Sequence, residues 1–157
     1  MRKRVIGTAP VETEPSEHDW LDLEELAQVE VTSEDAAYPI EAALLGEDAG
    51  WRAAQPGPQT IRLLFDRPQR LSRVWLLFIE ADTARTQEFV LRWSPDGGRS
   101  FREIVRQQWN FAPPETIREI ENYRVELSEV TVLELAIVPD QSRGEARASL
   151  ARRGLAG

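Results

Sequence analysis

Six side chains carry the recognition chemistry this sequence offers: Trp109, Asn110, Phe111, Arg85, Asp82 and Arg52. Two aromatics flank an amide just before Pro113 and Pro114. Ring faces can stack on the apolar side of a pyranose, while amide, carboxylate and guanidinium groups fix its hydroxyls. The same residues have a plainer reading. Trp109 and Phe111 could plug the end of a β-sandwich, and Arg85, like Arg106, could sit in a surface ion pair. Trp51, Trp75 and Trp93 read as core. Carboxylate pairs can be drawn from Glu80, Asp82 and Asp140, but among 27 Asp and Glu residues such pairs carry little weight without geometry.

Catalysis finds little else. The chain has no cysteine and a single histidine, His18. Disulfides, thiolate nucleophiles and cysteine metal sites are excluded, and a histidine metal cluster or a Ser-His-Asp triad would need a second chain. No glycine-rich phosphate loop is present. The expectation is therefore no enzyme, no metal and no cofactor.

The elements that must position these residues are mostly strands. Val29 to Thr32 alternates and reads as a short first strand. Ile40 to Leu44 reads as a short helix closed by Gly46. Ile61, Leu63 and Phe65 alternate up to a turn at Arg67-Pro68, and Val74 to Ile79 is apolar on both faces. Phe89, Leu91 and Trp93 alternate up to the turn Ser94-Pro95-Asp96-Gly97-Gly98, and Phe101 to Arg106 returns. Ile117 to Leu127 and Leu133 to Ile137 give two more strands, and a weaker segment at 147–155 could close the sheet. Short strands at this spacing, with few helices, indicate an all-β antiparallel sandwich with a short helix near residues 40–45.

Alternating strand direction puts successive loops at opposite ends. If Ile61–Asp66 runs one way and Ser72–Ile79 returns, then 50–60, 80–86, 108–116 and 139–146 share one rim. That rim gathers Trp51, Arg52, Glu80, Asp82, Arg85, Trp109, Asn110, Phe111, Asp140, Gln141 and Arg143. The turn at Ser94–Ser100 and the bend at Asp66–Leu71 lie at the other end.

The net charge of −8 is unevenly spread. Val5 to Trp51 holds thirteen acidic residues and no Lys or Arg, whereas Arg52 onward is slightly basic. Residues 1–18 read as a flexible acidic leader, and 19–157 as one domain. The acidic stretch is either a solvated segment or a docking arm for a basic surface. It opposes binding to phosphates, so nucleic acid is not expected as a ligand. No apolar run is long enough to cross a membrane. The basic start Met1-Arg2-Lys3-Arg4 lacks the apolar stretch of a signal peptide, which makes a cytoplasmic location the expectation.

The order of motifs resembles the discoidin, or coagulation factor 5/8 type C, family of galactose-binding-like domains. The resemblance runs from Val31-Thr32-Ser33 through Pro39-Ile40-Glu41-Ala42-Ala43-Leu44-Leu45-Gly46 and Gly50-Trp51-Arg52-Ala53. It continues through Gln59-Thr60-Ile61-Arg62-Leu63 to Phe89-Val90-Leu91-Arg92-Trp93-Ser94-Pro95-Asp96-Gly97, and covers roughly residues 29 to 153. It implies an eight-stranded jelly roll that binds rather than catalyses, with carbohydrate, phospholipid or protein as the family's ligands. The chain departs from the family in lacking the cysteines of extracellular members. Leu45-Gly46 stands where Asp-Gly is usual, with Asp48 close by. Arg152 and Arg153 stand where many carbohydrate-binding members place a glutamate that helps hold a structural calcium. The leading expectation is a non-catalytic module for carbohydrate or a related polyhydroxylated ligand. The alternative is an intracellular protein-interaction or scaffold domain, acting alone or as a homo-oligomer.

Overall fold

Two long strands organise the molecule. The computed structural model describes residues 20–45, 50–142 and 144–157. Strands β3 (Gln59–Ile79) and β6 (Arg118–Val138) pair antiparallel along their whole length, from Gln59 opposite Ile137 to Ile79 opposite Arg118. The register slips three times between Leu64 and Arg73, and Glu129 takes a left-handed φ of 59° on the partner strand. Bulges of this kind let a strand leave one layer of a sandwich and enter the other. The turn expected at Arg67-Pro68 is therefore a bend inside one continuous strand. Pro68 has no N–H to give and is tolerated where the ladder is interrupted. Likewise, the two strands expected at 117–127 and 133–137 are one.

Each half of this ribbon recruits different neighbours. The first half of β3 pairs with β1 (Ala27–Val31), and the second half of β6 with β4 (Arg85–Ser94), which pairs with β5 (Arg102–Phe111). The second half of β3 pairs with β8 (Arg152–Ala156). The result is a five-stranded layer, β1-β3-β6-β4-β5, over a three-stranded layer, β8-β3-β6. Phe78 of the small layer stacks on Phe89 of the large one, with ring centroids 5.3 Å apart. Tyr123 meets Phe89 edge-on at 6.5 Å. The expected alternation supplies the filling: Ile61, Leu63, Val74, Leu76, Phe89, Leu91, Leu133 and Leu135 are all fully buried. Each is worth roughly 1.5–3 kcal/mol of transfer free energy.

Short elements close the edges. Helix α1 (Leu23–Leu26) buries Leu23 and is capped by Asp22, and helix α2 (Ile40–Leu44) buries Ile40, Ala42 and Ala43. Strands β2 (Trp51–Arg52) and β7 (Ser149–Leu150) form a separate two-stranded sheet. Trp51 lies in the core, 1% exposed, and its indole N–H donates to the Ser33 carbonyl at 3.1 Å. At the bend end, the Asp96 carboxylate accepts from the Ser94 hydroxyl and from both the backbone N–H and the hydroxyl of Ser100. Those bonds, Ser100's first, hold its pKa down to about 2. No described helix is long and apolar enough to cross a membrane. The leader at 1–18 with His18, the residue Gly46 expected to end α2, Asp48, and Arg143 all lie outside the described residues.

Candidate functional site

Opposite the bend, the ribbon's two ends and the β4–β5 hairpin meet. The backbone N–H of Glu80 donates to the Ile117 carbonyl, and that of Gln141 to the Thr86 carbonyl. Segments 80–86, 110–117 and 139–142 thus form one rim. Arg85 clamps it. One guanidinium nitrogen donates to the Pro139 carbonyl at 2.6 Å, and another to the Glu80 carboxylate at 3.1 Å. The guanidinium carbon lies 5.3 Å from the Phe111 ring centre. Glu80 is spent as well: its second oxygen accepts the N–H groups of Asp82 and Thr83. Burial lowers the Arg85 pKa, and the Glu80 charge counters that.

Above this clamp lies a concavity of about 540 Å³. Arg85 and Phe111 form its floor. Thr86, Asn110, Asp140 and Gln141 form its wall. The Thr86 hydroxyl donates to Asn110 Oδ1 at 2.7 Å, leaving the exposed Asn110 amide N–H groups pointing outward from the strand. Asp140 accepts from the Ser142 N–H and hydroxyl through one oxygen, bonds that lower its pKa. A second hollow of about 450 Å³ adjoins, lined by Gln108, Trp109, Asn110 and Thr116.

The six residues singled out from sequence are thus partly brought together. Arg85, Asn110 and Phe111 line one concavity, and Trp109 the next. Trp109 and Asn110 do not share a face. The expected strand at 101–106 continues to Phe111, so Trp109 turns inward opposite Gln87 and Asn110 outward opposite Thr86. Phe111 is 2% exposed, sealed beneath Arg85, and presents no open ring face. Asp82 stands exposed on the loop after β3, outside both hollows. Arg52 is half-buried and lies over the Tyr38 ring at 5.5 Å, close enough to Arg85 to disfavour its charge. Sequence reasoning did not single out Thr86 or Ser142. The register that sets Thr86 opposite Asn110 was the signal that could have found the first.

Below the rim, between β4 and the edge of β6, sits a buried polar seam. Gln87 donates to Glu119 Oε1 at 3.1 Å. Glu119 is 1% exposed, and burial, reinforced by neighbouring Glu121, pushes its pKa up to about 9. Its other oxygen finds no donor among the described residues. A proton there lets it donate to Glu121 instead.

The resemblance implies a calcium near residues 152 and 153, and the residues present do not fit one. Arg153 pairs with Leu76 and faces inward, 2% exposed, and none of its guanidinium nitrogens finds a hydrogen-bond partner among the described residues. Burial alone lowers its pKa to about 10. A cation already buried there would repel a second. Among the described residues, no group of three acidic or histidine side chains could hold a metal.

No protein-family model and no curated protein sequence matches the chain. Solved structures do. A family 32 carbohydrate-binding module from a Clostridium perfringens family 31 glycoside hydrolase superposes with a TM-score of 0.64 at 19% identity, over 89% of this chain and 96% of that one. The family 32 module of C. perfringens NanJ, in complex with galactose, gives 0.63 at 14% identity, over 87% and 97%. The family 32 module of AlyQ, in complex with 4,5-unsaturated mannuronic acid, gives 0.60 at 14%, over 83% and 94%. Nearly whole-length superposition at such low identity identifies the architecture: this chain has the β-sandwich fold of the family 32 carbohydrate-binding modules.

Proposed function

We propose that the chain is a non-catalytic carbohydrate-binding module whose ligand occupies the concavity between Thr86, Asn110, Asp140 and Gln141. The carrying observation is that concavity: four hydrogen-bonding side chains converge on it at one end of a sandwich, over a floor held rigid by Arg85. Hydroxyl recognition needs donors and acceptors side by side. The Asn110 amide donates, and the second oxygen of Asp140 accepts. The likeness to modules solved with galactose and with an unsaturated mannuronic acid supports the same reading.

The test is a glycan array followed by calorimetric titration of the sugars that bind. Asn110→Ala and Asp140→Asn are each expected to weaken binding about 10-fold, the value of one hydrogen bond to a charged or well-placed group. Both positions lie at the surface, so thermal unfolding should stay unchanged. Failure to bind any glycan at millimolar concentration, or binding indifferent to both substitutions, defeats this reading in favour of a protein-contact module.

A further inference from the structure

The outer face of the three-stranded layer has an apolar strip and a basic border. Alternation turns Arg73, Trp75, Leu77 and Ile79 of β3 outward, together with Arg118, Ile120, Asn122 and Arg124 of β6, with Trp75 and Leu77 already covered and Ile79 left open. Ile79 is 40% exposed, unusual for a large apolar side chain in this molecule. Arg118 and Arg124 are exposed and have no acidic partner among the described residues, and Arg73 bonds only the neutral Asn122. The contrast with the other face is sharp. There Arg62 and Arg92 both bind Glu134, which they bury completely.

Trp20 is fastened to this same basic face. Its ring lies 6.3 Å from that of Trp75 and rests on Gly154, where an added Cβ would come within 2.9 Å of the indole. Arg73 lies over the ring at 5.8 Å. The backbone N–H of Leu21 donates to the Leu155 carbonyl at 2.7 Å, which fixes the chain's direction of approach. Immediately before Trp20 stand Glu12, Glu14, Glu17 and Asp19, with no Lys or Arg between residues 5 and 19.

We propose that residues 12–19 dock on this outer face, with the carboxylates of Glu12, Glu14, Glu17 and Asp19 meeting Arg118 and Arg124. Reach permits it. Eight extended residues span about 26 Å. Ile79 lies four residues along β3 from Trp75, or roughly 13 Å, and β6 lies one strand spacing of about 5 Å further. Charge favours it too: this arm is acidic and the strip's border is basic, in a chain that is acidic overall. The proposal concerns the sheet face and is independent of the sugar reading at the rim.

The lack of cysteine makes a direct test possible in the full-length chain. A nitroxide placed at Ser16→Cys should broaden the amide signals of residues 77–79 and 118–124, and leave the Asp96–Ser100 turn sharp. Adding Arg118→Glu and Arg124→Glu, both at exposed positions, should restore those signals. Salt near 1 M, where the screening length falls to about 3 Å, should do the same. Broadening elsewhere, or broadening that survives both charge reversal and salt, overturns the proposal. So does broadening that passes from a labelled copy to an unlabelled, isotope-enriched one, which would assign the face to a neighbouring molecule.

Discussion

Gly50→Ala is expected to destabilise the fold by roughly 3–5 kcal/mol, seen as a lower urea midpoint with an unchanged slope. Gly50 sits at φ 65°, where an L side chain costs about 1–2 kcal/mol. The larger part is steric. A Cβ would stand 2.7 Å from the Leu150 carbonyl oxygen and 2.8 Å from the Ala151 Cα, both backbone atoms. Neither can rotate aside, so β7 must move away from β2 and loosen the seat of Trp51. Gly57→Ala is the control. Gly57 has φ 93° but no atom within 4 Å of an added Cβ, so only the dihedral cost of about 1–2 kcal/mol applies. Equal losses at the two positions would sink the steric argument.

Stability is expected to fall as pH rises from about 5 to 9, and Glu119→Gln to remove most of that slope. Glu119 holds its proton in the folded state up to about 9, against 4.5 for an ordinary glutamate, because burial and then Glu121 disfavour its charge. Between those two values the native state binds a proton that the unfolded chain has released. Stability is therefore fully present below the unfolded pKa and declines through the window, by up to about 1.4 kcal/mol per pH unit. Glutamine matches the shape of the protonated acid. It can accept from Gln87 and donate toward Glu121 without releasing a proton. Urea unfolding of both proteins at pH 5 and pH 8 measures the difference, which should reach roughly 3 kcal/mol in the parent and much less in the variant. Parallel pH profiles would remove Glu119 as the source.

Much of the architecture could be read from alternation alone. Ile61-Leu63-Phe65 and Phe89-Leu91-Trp93 declared their buried faces, and Ile40 to Leu44 its helix, because each pattern is local. The bend at 65–70 was not legible. A hairpin turn and a strand crossing between layers both call for an interrupted ladder that accepts proline, and only the partner strand tells them apart. The extent of β5 was hidden for a related reason: Gln107 and Gln108 look like loop residues but pair across to β4. That extension decides which of Trp109 and Asn110 faces outward. The burial of Arg85 could not be foreseen either. It depends on Glu80, five residues earlier, and on Pro139, far along the chain, meeting at one point.

The bent ribbon also bears on how the chain assembles. Strands β4 and β5 are joined by seven residues and can pair at once. The small layer has no such local start: Ile79 waits for Arg118 and Leu77 for Arg152, tens of residues away. Closing such long loops before any contact rewards them is slow. The hairpin should gain protection early after dilution from denaturant, and the pairings made by β3 later, on the millisecond-to-second scale of proteins dominated by distant pairings.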